Sequence, residues 1–368
     1  MKQDIQYHDG LDESCTFVTS TVNSVRSSVS APVSAPIGPA PSSTARPTLS
    51  KIKMTFVLLV LAPIFAEAIC RFAIGLGDPP LYQADAAMEY LLQPSKTYYR
   101  FHNRFEVNQY SMRSDHFPPR KSSADELRVL VIGDSVIYGG VRVDQDDIDT
   151  EILERNLQRQ LGVPVVVGNA SAKSWGPPNE LEYLKRFGTL DADVVILELS
   201  SHDFADSPTF VKVVGISADY PDKKPWSAIA DMFQTYILPR YFHYGTTPTG
   251  IDKTMINNAQ SEQDIAWCRT AEREFFRFAL AHHAKVALVQ HLTLAELTGG
   301  YQTGYAANQQ VAKEENVPYV DDAVELRAEL KSGESPFYSG DSLHPNKVGQ
   351  KVLAHALQRA VNLALKSN

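Results

Sequence analysis

The run Val129-Leu130-Val131-Ile132-Gly133-Asp134-Ser135 constrains this chain most, because an unbroken apolar stretch stops abruptly at a glycine and two small polar residues. A short apolar run rich in branched side chains and bounded by glycine is the pattern of a strand buried on both faces. That reading puts Arg128 to Ile132 inside a sheet and Ser135 just past its carboxyl end. Ligands of open α/β sheets gather beyond the carboxyl ends of the central strands, so the Ser135 hydroxyl either faces a site or caps the helix that follows.

The same pattern recurs downstream. Apolar runs at 163–167, 193–199, 285–292 and 318–320 alternate with helical spacings: Ile152, Leu153, Leu157 and Leu161, then Leu181, Leu184 and Phe187 after Pro177-Pro178. A long helix to about His283, another from about Tyr301 to Glu315, and one after Pro345 with Val348, Val352, Ala356 and Ala360 complete the series. Strand alternating with helix predicts an α/β domain over 125–368, built on a mostly parallel sheet covered on both faces. An insertion over about 207–252 interrupts it and carries Trp226, Phe233, Tyr236, Tyr241 and Tyr244 without clear period. It either roofs a site or packs.

Ahead of that domain the composition shifts twice. Residues 1–53 form a Ser-, Pro- and Ala-rich tail that buries too little apolar surface to offset its ordering entropy, and disorder is the expectation. Residues 54–76 are apolar over a membrane-spanning length, with Arg46, Lys51 and Lys53 before them and Asp78, Asp85 and Glu89 after. The positive-inside bias puts the N-terminus in the cytoplasm and the large domain outside. Glu67 and Arg71 lie four apart and pair on one helical face. An uncleaved membrane anchor is the first reading; a cleaved signal ending at Ala66-Glu67-Ala68 and an ordinary buried helix are the alternatives. Residues 77–124 read as a lead-in whose Tyr98, Tyr99, Phe101 and Phe105 lie against the main domain, with a carbohydrate-stacking platform as the rival reading.

Composition removes several partner classes. The formal net charge is -8 and no basic cluster occurs, so no nucleic-acid partner is expected. Cys15, Cys70 and Cys268 stand in unrelated contexts and support neither a disulfide framework nor a cysteine metal site. His282-His283 reads as solvated and His291 as core; no grouping has zinc spacing, and no metal or cofactor is expected. Gly133 and Gly139-Gly140 do not make a dinucleotide fingerprint.

What remains is hydrolytic chemistry. A serine hydroxyl is a poor nucleophile unless a base takes its proton, and a histidine base needs a carboxylate to fix its tautomer. In Asp341-Ser342-Leu343-His344-Pro345 a carboxylate and an imidazole lie three residues apart, within reach of each other on one loop. Together, Gly133-Asp134-Ser135 and the Asp341–His344 block resemble the paired end motifs of the GDSL, or SGNH, hydrolase superfamily. The resemblance covers about 127–365 and implies a three-layer α/β/α, flavodoxin-like fold with a central parallel sheet. It makes Ser135 the nucleophile, His344 the base and Asp341 its orienting acid. It also implies an oxyanion hole completed by a glycine N–H after the second strand and an asparagine after the third. Here Ser174 or Gly176 stands for the glycine, and His202, in Ser200-Ser201-His202-Asp203, for the asparagine. An imidazole Nδ1–H can donate as an amide does, but only in one tautomer or when protonated. The activity implied is a serine esterase acting on an acyl, first of all O-acetyl, ester of envelope polysaccharide. An O-acetyltransferase with the same triad and a non-catalytic glycan-binding or assembly protein are the rivals. The implied partners are an acylated glycan or small ester and, through the N-terminal helix, a membrane.

Overall fold

A computed structural model of the chain describes residues 49–238, 241 and 261–367. The chain divides into two units, Met1–Met54 and Thr55–Asn368. Helix α1 (Leu49–Ala68) runs into a π-helical turn (Ile69–Ile74) that stops at Gly75, whose φ of 79° suits glycine. The helix thus begins at Leu49, ahead of the boundary expected at Met54; the rest of the expected disordered tail, residues 1–48, lies outside the described residues. Across α1 and the π-helical turn, Phe56–Ile74 is long and apolar enough to cross a membrane, and little of it is buried.

Two antiparallel hairpins follow, β1 (Tyr82–Asp85) with β2 (Glu89–Leu92) and β3 (Lys96–Arg100) with β4 (Asn103–Val107). They are more than a lead-in: Tyr82, Tyr90, Tyr98 and Phe105 are buried in the same apolar core as the main sheet. Tyr99 points to solvent, and Phe101 packs partly buried beside Cys70 and Leu76.

The remaining elements are β5 (Leu127–Gly133), α2 (Ser135–Tyr138), α3 (Asp149–Leu161), β6 (Val165–Ser171), α4 (Pro177–Phe187), β7 (Val194–Ser200) and α5 (Ala228–Met232). After them come α6 (Glu262–Ala281), β8 (Lys285–His291), α7 (Leu294–Gly299), α8 (Thr303–Glu314), β9 (Tyr319–Asp321), α9 (Ala323–Ser332) and α10 (Lys347–Lys366). The five long-range strands pair in parallel in the order β6-β5-β7-β8-β9. Part of the insertion expected over 207–252 lies outside the described residues.

Strand periodicity sorts the core into two layers. Val129, Val131, Val194 and Ile196 meet Leu153 and Leu157 of α3 and Leu353, Leu357 and Val361 of α10 on one face. Leu130, Ile132, Val195 and Leu197 meet Leu181 and Leu184 of α4, Phe275 and Phe276 of α6, and the hairpin aromatics on the other. Each such side chain contributes about 1.5–3 kcal/mol by leaving water. The result is the expected α/β/α architecture. Chain order steps outward from β5 to β6 and then back across to β7, so the switch point falls beside the carboxyl end of β5, where Ser135 stands.

Candidate active site

Two roles were open for Ser135, and local geometry separates them. Asp134 caps α2: its Oδ1 accepts the Val136 N–H at 2.7 Å, leaving the Ser135 hydroxyl free for another partner. Gly133 is required by the approach of β7, since a Cβ there would lie 2.8 Å from Glu198 Oε2 and 2.9 Å from Ile137. The partner that Ser135 finds is His344, whose Nε2 lies 3.0 Å from the hydroxyl oxygen.

The loop carrying His344 orders itself around Asp341. One carboxylate oxygen accepts the backbone N–H groups of Leu343 and His344 at 2.9 and 3.0 Å, while the other lies 2.8 Å from His344 Nδ1. Burial opposes the charge of Asp341, but the two N–H groups and the imidazole outweigh it and hold the carboxyl below its ordinary range. A carboxylate at Nδ1 places the imidazole proton there and leaves Nε2 free to accept from Ser135.

A second histidine braces this loop from below. His291, at the end of β8, has Nδ1 2.5 Å from the Asp322 carboxylate and Nε2 2.8 Å from the Leu343 carbonyl. Both nitrogens face acceptors, so the ring satisfies them only as an imidazolium. Burial disfavours that charge; Asp322, with the Leu343 carbonyl, overrides burial and raises the pKa. The sequence reading of His291 as core is right about burial and missed this support, because Asp322 and Leu343 are distant in sequence. The Leu294 N–H adds a bond to the Ser342 carbonyl at 2.8 Å.

Across from the loop stand the residues expected to form the oxyanion hole. Ser174 reaches the cavity with a left-handed φ of 53°, a backbone state that favours glycine. Gly176 is directed elsewhere: its N–H donates to Asn179 Oδ1 at 3.1 Å as part of the cap of α4, and it does not line the cavity. Of the two candidates for the glycine position, only Ser174 is brought to the site. Among the described residues, neither the Ser135 nor the Ser174 N–H has a protein acceptor.

His202 also lines the cavity, with Nε2 turned toward buried carboxylates, 3.1 Å from Asp203 Oδ1 and 3.8 Å from Asp134 Oδ2. Neither oxygen has a hydrogen bond from the protein. Asp203 Oδ2 accepts the Ser200 N–H at 2.6 Å. Burial, then repulsion from Asp134 and Asp206, pushes the Asp203 carboxyl well up; burial does the same to Glu198, reinforced by Asp134 and Asp203. Asp206 is raised to about 6, mainly by burial. The ligand atoms of Asp134, His202 and Asp203 lie within 4.8 Å of one another. Proximity of three ligand atoms does not by itself assign a metal to the trio.

The cavity these residues share is about 710 Å³ and is walled by Tyr138, Tyr220, Tyr338, Arg142 and Lys173. Its rim over 138–143 is fixed by Arg113, which is fully buried and donates to the carbonyls of Tyr138, Gly140 and Val143 at 2.5, 2.7 and 2.8 Å. Burial pulls that guanidinium down to about 10. A lone arginine in a polar lead-in gives no sequence signal for such a role.

Residues 131–352, more than half of the chain, match the GDSL-like lipase/acylhydrolase family. No curated protein matches the chain. Among solved structures, a two-domain esterase active on acetylated mannans is similar at 13% identity and a TM-score of 0.41, over 66% of this chain and 50% of its own. This chain thus spans about half the length of that enzyme. A catalytic mutant of an acetylxylan esterase from Geobacillus stearothermophilus is similar at 15% identity and a TM-score of 0.40, over 66% and 96%. A psychrotrophic esterase from Pseudoalteromonas sp. is similar at 14% and 0.41, over 65% and 99%. Likenesses this distant carry nothing about substrate, whereas the family match spans both Ser135 and His344: the chain belongs to the GDSL-like lipase/acylhydrolase family.

Proposed function

We propose that this protein is a serine esterase that hydrolyses acyl esters, O-acetyl groups on envelope polysaccharide first among them, through a covalent Ser135 intermediate. The observation that carries the reading is the hydrogen-bonded chain from Ser135 Oγ through His344 to Asp341 at the edge of an open cavity. Ser135 Oγ attacks the ester carbonyl carbon as its proton passes to His344 Nε2. The tetrahedral adduct collapses, the bond to the alcohol oxygen breaks, and His344 returns the proton to that oxygen. Water then repeats the sequence on the acyl-enzyme, releasing the acid and restoring Ser135. Asp341 holds the imidazole proton at Nδ1 throughout. An aromatic-walled cavity of about 710 Å³ accommodates a sugar ring, and a membrane anchor with the domain outside brings it to envelope polymers.

The oxyanion is met by the Ser135 and Ser174 N–H groups and by His202. Since His202 Nε2 faces Asp203, its Nδ1 edge is the one left for substrate, and that nitrogen carries a proton either when the ring is protonated or when Nε2 accepts a hydrogen bond. A protonated Asp203, favoured by its burial beside Asp134, supplies it: the acid donates to Nε2 and fixes the Nδ1–H tautomer. The test is labelling with a serine-directed fluorophosphonate, followed by hydrolysis of short acyl esters and acetylated oligosaccharides. Labelling confined to Ser135, lost in Ser135→Ala, together with acetate release is the expected result. A folded protein that does not label removes the enzyme reading in favour of a binding protein, and acetyl transfer to added sugar in place of acetate release makes it a transferase.

A further inference from the structure

The apolar N-terminal helix is not a free tether, because the domain clasps its last two turns. Glu67 accepts the Ala228 and Ile229 N–H groups at 2.9 and 3.1 Å, capping α5 from a distant part of the chain, and Arg71 holds Glu67 at 2.7 Å. Cys70, Leu76 and Ala228 are buried together, with Ile229 and Met232 packed on them. One turn on, Asp231 takes the Gly77 N–H at 2.8 Å and the buried Arg100 guanidinium at 2.6 Å.

Length makes this clasp consequential. The uncharged stretch from Met54 to Ala66 is 13 residues, or about 20 Å of helix, against a hydrocarbon layer of about 30 Å. The apolar span runs on through Glu67–Ile74, the segment that α5 grips. Whatever is packed there is carried into the interface. The side chains at that point have interfacial character. Phe72 of the helix is 75% exposed, and on the insertion Trp226 is 87%, Phe233 45% and Tyr236 37% exposed. Lys223 and Lys224 flank Trp226, pairing at the surface with Asp222 and Asp78. Exposed Trp and Tyr beside long cationic side chains suit the head-group level of a bilayer, where rings lie among acyl carbonyls and ammonium groups snorkel to phosphate.

We propose that the segment from Trp226 to Tyr236 is a membrane-docking surface that seats the domain on the phospholipid bilayer its own N-terminal helix enters. The proposal rests on reading that helix as an anchor, and the experiment keeps the two apart. The full chain carrying Trp267→Phe, whose remaining tryptophans are Trp226 and the buried Trp175, is reconstituted in phosphatidylcholine and phosphatidylglycerol vesicles. Part of the lipid is brominated near the head-group end of its acyl chains. The expected result is a blue shift and loss of the Trp226 emission, obtained by subtracting a Trp226→Phe, Trp267→Phe double variant. Unquenched Trp226 in protein that stays in the vesicles after a carbonate wash overturns the docking and leaves the anchor standing. Unquenched Trp226 in protein that the wash removes sinks both. Quenched Trp226 in washable protein discards the anchor and overturns the proposal as stated, leaving only peripheral contact of this segment with lipid.

Discussion

The two walls of the cavity are built on opposite terms. On the Asp341–His344 side every nitrogen and oxygen that matters has a partner, and the groups are half-exposed. On the His202 side Asp134 Oδ2 and Asp203 Oδ1 have no hydrogen bond, and both carboxyls are buried. Such atoms are costly to leave unmatched unless a proton or a ligand arrives. On the proposed mechanism the nucleophile side is preorganised by its own loop, whereas the oxyanion side changes state with protonation. Ground-state geometry therefore reports readiness on one wall and pH sensitivity on the other.

The largest effects belong to the ordered wall. Asp341→Asn keeps the loop's shape but cannot stabilise the imidazolium or enforce the tautomer, and is expected to lower kcat for ester hydrolysis by roughly 10⁴. Steady-state kinetics with a short acetyl ester, with folding checked by circular dichroism, measures it; a loss under tenfold would mean that the loop's order is structural only.

On the other wall, His202→Ala is expected to lower kcat by roughly 10²–10³, the loss of one oxyanion donor, and His202→Asn to keep most of the activity. Asp203→Asn is the sharper probe. An asparagine there accepts from the Ser200 N–H with its oxygen and donates to His202 Nε2 with its amide, at all pH values. Activity should then persist at alkaline pH, where the wild-type enzyme is expected to lose it once Asp203 ionises and no longer donates to Nε2. The pH profiles of kcat for the two proteins decide; coincident profiles would remove Asp203 from the account.

The same division explains what the sequence disclosed. Asp341 and His344 were legible because three residues on one loop already bring them together, and Ser135 because an apolar strand ends at it. Strands 127–133, 165–171, 194–200 and 285–291 were visible as apolar runs, since both faces are covered. The hairpins over 82–107 were not, because their residues alternate between core and water among many polar neighbours. Helices α7 and α9 went unread for a related reason: they are short, and tertiary packing more than periodicity defines them. Nor could spacing show Arg113 under the cavity rim, His291 under the Asp341–His344 loop, or the carboxyls gathered from the ends of β5 and β7. Those depend on which strands become neighbours. Ser174 and Gly176 looked equivalent in sequence, and only the Asn179 cap at Gly176 separates them.

A stability measurement extends the contrast below the cavity. Asp149 is buried at the start of α3 and its carboxyl is raised to about 8, by burial first, with Thr150 and Arg113 opposing. Between the unfolded value near 4 and this folded value, the native state holds a proton that the unfolded chain releases, so stability falls as pH rises through that window and levels off above it. Asp149→Asn removes the ionisation. Its Tm should match wild type only at or below about pH 4 and exceed it at about pH 8, by an amount equivalent to a few kcal/mol. Parallel Tm-against-pH curves would show that the buried carboxyls are stabilised as anions.

The smallest effect tests whether the His202 wall contains strain as well as carboxyl oxygens without hydrogen bonds. Ser174 sits at φ 53°, where a Cβ costs about 1 kcal/mol and glycine costs nothing sterically. Its hydroxyl gives little in return, a 3.4 Å contact from the Tyr220 hydroxyl at an exposed position. Ser174→Gly relieves the strain but frees the unfolded chain, and the two terms are of similar size, so the net gain should stay below about 1 kcal/mol. The N–H proposed to meet the oxyanion is unchanged, so kcat should move less than about twofold. Chemical denaturation and ester kinetics on one preparation read both quantities. A tenfold rise in kcat would locate the cost of a side chain at Ser174 in the transition state, and the oxyanion wall would then be limited by the shape of this turn more than by the protonation of His202.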